Sequence, residues 1–269
     1  MVNARVVNTG TVNTGTVNTG TVNTGTVNTG TVNTDPNAPT KEKPDMENTL
    51  TPGSLLAGIR ETRLVAIVRG TDGTAAAKAA LAAMEEGFRF VEIALTTPHA
   101  LEAISAVRAA APADCFVGAG TVLTAQDVDR VAEAGGQFMV TPSLAESIAE
   151  SARLGLPVLA GALTPSEAYE AMNRGATAVK LFPASIGGPG YLKALRDLFP
   201  GIPFIAVGGV GLGEATAYWE AGAVAVGLGG PLFGDAGSGG DLAPRRERAR
   251  GFVNLAAEFG RTTGAEILR

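Results

Sequence analysis

The sequence predicts an α/β protein, a single compact (β/α)8 barrel behind a disordered low-complexity N-terminal tail. Three observations lead there. Eight short apolar runs follow one another from Leu64 to Gly230. Their starts lie 19 to 26 residues apart, which is room for one strand and one helix each. The runs are nearly continuous in apolar residues rather than alternating, as parallel strands covered on both faces require.

The runs are Leu64 to Arg69, Phe90 to Leu95, Phe116 to Thr121, Phe138 to Ser143, Pro157 to Ala162, Ala178 to Pro183, Pro203 to Gly209 and Val224 to Gly230. Helix starts punctuate the intervals. Thr164-Pro165-Ser166-Glu167 supplies a cap, a first-turn proline and a capping-box glutamate. Thr124 with Asp127 gives a weaker cap, and Thr97-Pro98 precedes an alanine-rich helix. A leading helix over the barrel floor is expected around Leu55 to Arg60, and a final one over Asp241 to Glu258, after a flexible Gly234 to Gly240 loop. The Arg245-Arg246-Glu247-Arg248 cluster reads as a solvated helix face.

The N-terminal stretch is different. Val7 to Thr31 is five copies of Val-Asn-Thr-Gly-Thr. A period of five matches neither helix nor strand, and one valine per five residues cannot build a core. Residues 1–52 are therefore expected to be repeat tail and linker, and residues 53–269 the barrel. Met46 stands just before the globular part, as a natural start or the edge of a dispensable tail.

Composition narrows the class. The 269 residues carry a net charge of −5, which speaks against nucleic acid as a partner. The only cysteine, Cys115, reads as an ordinary buried thiol and fits a reducing compartment. No apolar run reaches the roughly 18 residues that span a bilayer, and the N-terminus lacks a charged-then-apolar leader pattern. The expectation is a cytoplasmic protein with no membrane partner. No metal is expected either, because no His/Cys/Asp cluster has ligand spacing. The sole histidine, His99, reads as structural in the first turn of its helix.

Chemistry concentrates at two residues. Lys180, one of five lysines, sits inside the apolar run Ala178-Val179-Lys180-Leu181-Phe182-Pro183. A buried ammonium without a partner is costly, and a neutral amine is a nucleophile toward carbonyl carbon. Glu92 interrupts another apolar run, between Val91 and Ile93. The plainer reading is that the two form a buried ion pair, which still places both in one site. The glycine pairs Gly208-Gly209 and Gly229-Gly230 close the last two runs, where such barrels commonly seat phosphate on backbone N–H groups.

In combination these stretches resemble the class I 2-keto-3-deoxy-6-phosphogluconate aldolase family, which includes 2-keto-3-deoxy-6-phosphogalactonate and 4-hydroxy-2-oxoglutarate aldolases. The matching segments are Val65 to Arg69, Val91 to Pro98, Val117 to Val122, Val140 to Pro142, Ala178 to Pro183 and Ala206 to Val210. The resemblance runs from about Leu55 to Phe233 and leaves the repeats uncovered. It implies an aldolase that works without cofactor and cleaves a 2-keto-3-deoxy-6-phospho sugar acid to pyruvate and glyceraldehyde 3-phosphate, as a homotrimer. Lys180 would be the Schiff-base lysine and Glu92 the acid/base. Arg69, Thr96, Thr121, Pro142 and Phe182 would hold the substrate, and Gly208, Gly209, Gly229 and Gly230 its phosphate. Two positions depart from the pattern: Thr96 stands where some members have arginine, and Gly230 where many have serine. The alternatives are a 4-hydroxy-2-oxoglutarate aldolase or a phosphate-binding barrel synthase or isomerase. Lys180 in its apolar strand speaks against the last.

Overall fold

The computed structural model describes residues 50–267, with side chains through residue 262. The expected repeat tail, and Met46 with it, lies outside the described residues. Eight parallel strands close into a barrel in chain order: β1 (Leu64–Val68), β2 (Phe90–Ala94), β3 (Phe116–Gly120), β4 (Met139–Val140), β5 (Val158–Ala162), β6 (Ala178–Leu181), β7 (Phe204–Val207) and β8 (Ala225–Leu228). Each falls within one of the eight apolar runs. All are shorter than the runs, because the run ends turn away as βα loops. β4 has only two paired residues.

Among the described residues the α-helices are α1 (Pro52–Thr62), α2 (Gly73–Glu85), α3 (Ala100–Ala110), α4 (Ala125–Glu133), α5 (Glu146–Arg153), α6 (Pro165–Asn173), α7 (Gly188–Leu198), α8 (Leu212–Glu220), α9 (Gly230–Phe233) and α10 (Ala243–Ile267). The caps at Thr124 and Thr164 both form full capping boxes. Thr97 does not cap α3. His99 takes that position in the left-handed region with its side chain exposed, 3.5 Å from Glu102. Thr97 is buried instead, and its hydroxyl accepts the Gly70 N–H.

Alternation along the strands divides two apolar layers. Val91 and Ile93 of β2, and Val179 and Leu181 of β6, pack outward against the helices. Phe90 and Ala178 face the barrel interior with Leu159, Ile205 and Val207. Side chains repeat every second residue, so Glu92 and Lys180 also face inward, one layer above Phe90 and Ala178. Helix α1 closes the floor: Leu55 and Ile59 join the interior layer, and so does Leu50, ahead of the Thr51 cap. Phe90 stacks on Phe116 at 5.5 Å and meets Phe138 edge-on at 6.5 Å. This aromatic floor shuts one end of the barrel and leaves the other for chemistry.

Two expectations about the C-terminal part need correction. The Gly234–Gly240 loop is docked, not loose. It carries a 3-10 turn at Ala236–Ser238, and Gly237 packs so closely on Gly70 that a Cβ on Gly70 would overlap the Gly237 carbonyl. The arginine cluster of α10 is not simply solvated either. Arg246 pairs with Glu85 and Glu86, Arg250 with Glu86, and Arg245 with Asp235. The cause is the α10–α2 contact, which brings two acids at the end of α2 under the helix. Among the described residues, no helix is long and apolar enough to cross a membrane.

The β1–β8 loop contact is directly testable. Gly70→Ala is expected to cost about 1–3 kcal/mol of stability, the usual penalty of overpacking a closed contact. Denaturant unfolding measures it, and an unchanged midpoint would show that the loop yields freely.

Candidate active site

Lys180 and Glu92 meet across the top of the barrel interior. Lys180 Nζ lies 3.5 Å from Glu92 Oε1, with the residues 8% and 1% exposed. The two strands are not neighbours, so the pair spans the barrel bore. Room for the carboxylate comes from β3: a Cβ on Gly120 would lie 2.8 Å from Glu92 Oε1. The second oxygen, Oε2, is buried without a hydrogen-bond partner. Burial pushes the Glu92 carboxyl above the ordinary glutamate range, against the opposing pull of the Lys180 ammonium and the more distant Arg69 guanidinium. The Phe182 ring lies 5.6 Å from Lys180 Nζ and gives it a cation–π neighbour.

Above the pair opens a cavity of about 270 Å³. Arg69, Thr121, Pro142, Lys180 and Phe182 line it, together with Gly208, Gly209, Gly229 and Gly230. Ten of the eleven expected site residues are thus brought together, counting Glu92 beneath the lysine. Thr96 is the exception. It is exposed and lines a separate depression with His99 and Asp127, because the chain turns outward right after β2.

Local backbone explains the placement. Thr121 follows β3 at φ 60°, a left-handed conformation that is strained for a β-branched residue. Its hydroxyl lies 3.3 Å from Arg69 Nη2, which donates to it. Gly208 and Gly209 have φ of 94° and 75°, and a Cβ on Gly208 would press on the Phe182 ring at 3.1 Å. These two positions need glycine for conformation and for space. Thr141 also contributes, with no distinctive signal of its own in the sequence. Its hydroxyl donates to the Ser143 carbonyl at 2.6 Å and accepts the Gly161 N–H at 3.0 Å. That fastens Pro142 over β5, where Gly161 lacks the Cβ that would strike it. Gly120, Thr141 and Gly161 show in sequence only as small residues in strands, a signal too common to single them out.

An amine beside a carboxylate, under a cavity with a guanidinium at its rim, is equipped to form an imine with a carbonyl compound and to move a proton next to it. Comparison with known proteins gives that chemistry a family. The model for KDPG and KHG aldolases matches residues 56–243, and one for pentapeptide repeats matches residues 2–35. The chain is 38% identical over 199 residues to a probable 2-dehydro-3-deoxy-6-phosphogalactonate aldolase of Rhizobium meliloti (strain 1021), covering 73% of this chain and 92% of that protein. It is 40% identical over 173 residues to the 2-dehydro-3-deoxy-6-phosphogalactonate aldolase of Escherichia coli (strain K12), covering 63% and 84%. A solved native KDPGal structure superimposes with a TM-score of 0.69 at 36% identity, over 74% of this chain and 96% of that one. The chain belongs to the KDPG and KHG aldolase family, and is thereby a carbon–carbon lyase.

The raised Glu92 carboxyl has a consequence for stability. Its folded value lies above the ordinary 4.5, so the folded state favours the protonated form. The stability this contributes is complete below the unfolded value and is lost as pH rises through the folded one. Glu92→Gln removes the titration. Its melting temperature relative to wild type is therefore expected to climb as pH is raised above 4.5. Parallel thermal melts across pH measure the difference. A difference that stays flat, or falls, would contradict the raised carboxyl.

Proposed function

We propose that the protein is a Schiff-base aldolase that cleaves a 2-keto-3-deoxy-6-phospho sugar acid to pyruvate and glyceraldehyde 3-phosphate. The observation that carries the reading is the buried contact of 3.5 Å between Lys180 Nζ and Glu92 Oε1 beside a cavity that the glycine turns also line. The names of the Rhizobium meliloti and Escherichia coli relatives favour the galactonate configuration at C4.

The steps follow from the residues. The Lys180 amine, in its neutral form, attacks the C2 ketone, and loss of water leaves an iminium, a cationic electron sink. Arg69 and Thr121 meet the adjacent carboxylate. A charge-assisted, two-pronged contact from a guanidinium is about twice as strong per bond as a neutral one. Glu92 takes the proton of the C4 hydroxyl as the C3–C4 bond breaks, and that electron pair flows to the iminium nitrogen. Glyceraldehyde 3-phosphate leaves and an enamine of pyruvate remains. Protonation at C3, then water on the iminium carbon, releases pyruvate and restores the amine. Phe182 and Pro142 flank the reacting carbons, and Gly208, Gly209, Gly229 and Gly230 offer backbone N–H groups to the phosphate. No step here uses Thr96, which lines a separate depression with His99 and Asp127. A homotrimeric assembly accompanies this reading through the family resemblance, and a cytoplasmic setting through the composition.

Borohydride reduction in the presence of pyruvate tests it. One reduced adduct is expected, on Lys180, and Lys180→Ala should lose both adduct and turnover. Arg69→Met should raise the pyruvate concentration needed for half-maximal trapping, with little change in melting temperature. An adduct on Lys193 would sink the lysine assignment. A large fall in melting temperature at unchanged pyruvate dependence would make Arg69 a structural residue.

A further inference from the structure

We propose that Arg248 of α10 supplies the full positive charge behind an anion cradle otherwise made of backbone alone, and so sets the preference for phosphorylated over unphosphorylated substrate. The inference rests on the phosphate reading of the glycine turns given above.

Among the described residues only two charged side chains line the cavity, Arg69 and Lys180, and the proposed steps engage both with the keto acid. At the glycine turns the groups offered to a phosphate of about −1.5 to −2 charges are backbone N–H dipoles. After Gly229 and Gly230 the chain turns through Leu232, Phe233 and Gly234, with Gly234 in the cavity wall. Two guanidiniums of α10 press on this turn from outside. Arg245 Nε donates to the Phe233 carbonyl and Arg248 Nε to the Leu232 carbonyl, each at 3.0 Å. A Cβ on Gly234 would lie 3.1 Å from Arg245 Nη2 and 3.5 Å from Arg248 Nη2, so both groups stand directly against a cavity-wall residue.

The two differ in charge balance. Arg245 is paired with Asp235, and its neighbours Arg246 and Arg250 with Glu85 and Glu86. Arg248 makes no ion pair among the described residues; its Nε donates to the neutral Leu232 carbonyl. It is also half-buried, where screening by solvent ions is weaker than at the surface. Its charge beside Gly234 is therefore not neutralised by an ion pair of its own. Arg248 touches no substrate atom in this scheme and acts through Gly229–Gly234, on the anion those residues hold.

The test compares wild type, Arg248→Gln and Arg248→Lys on the phosphorylated keto sugar acid and on its unphosphorylated counterpart. Glutamine can still donate to the Leu232 carbonyl but carries no charge. Arg248→Gln is expected to raise KM for the phosphorylated substrate about threefold to tenfold, and the inhibition constant of inorganic phosphate by a similar factor. Turnover number and the unphosphorylated reaction should stay within about twofold. Arg248→Lys should restore most of the loss, and added salt should shrink the gap between the charged and uncharged variants. Equal losses on both substrates with a lowered melting temperature would show a carbonyl cap and nothing more, and overturn the proposal. So would an unchanged KM in Arg248→Gln. A wild-type enzyme indifferent to the phosphate would overturn the phosphate reading itself, and leave the borohydride result on Lys180 standing.

Discussion

A carboxylate and an amine face each other inside an apolar barrel, and the rest of the site depends on that one contact. Neither group would be tolerated there alone, since an unpaired buried charge costs several kcal/mol even after relaxation. Together they offset each other in part. The Glu92 carboxyl is still held above its ordinary range, which means desolvation outweighs the attraction of Lys180. A pair left in that imbalance is weak evidence for stability and stronger evidence for chemistry.

The fold supplies the imbalance. Strand alternation sends Glu92 and Lys180 inward on strands that are not neighbours, above a floor of phenylalanines closed by α1. Gly120 leaves space for the carboxylate, and the Phe182 ring borders the amine. The loops after β1 and β8 are locked together through Gly70 and Gly237. Arg69 and the Gly229–Gly234 turn therefore belong to one packed rim, and α10 fastens the latter from outside through Arg245 and Arg248.

Much of this was legible in the sequence because the physics there is local. Apolar runs at strand length, helix caps at Thr124 and Thr164, and two ionisable residues inside apolar strands each announce themselves without knowledge of neighbours. The failures are equally instructive. Thr96 was expected at the substrate and lies outside, because strand period says nothing about where a loop turns once the strand ends. Thr97, ahead of α3 in sequence, is a buried acceptor for Gly70, a contact no local pattern announces. The Gly234–Gly240 loop looked flexible from its glycines, yet glycine there permits close approach to the β1 loop. The arginines of α10 looked solvated because their partners, Glu85 and Glu86, are some 160 residues away in the chain. Contacts that distant leave no pattern in a single sequence.

Exchange of the pyruvate methyl protons with solvent deuterium, followed by NMR, tests most directly the claim that Lys180 and Glu92 act as amine and proton carrier. Enamine formation removes a C3 proton, and its reversal in deuterium oxide returns a deuteron, with no aldehyde or phosphate involved. Wild type should exchange. Lys180→Ala should not, and Glu92→Gln should form the imine yet exchange about 10²–10⁴ times more slowly, the usual contribution of a positioned acid/base. Exchange that persists in Lys180→Ala, or runs at the wild-type rate in Glu92→Gln, would contradict the account.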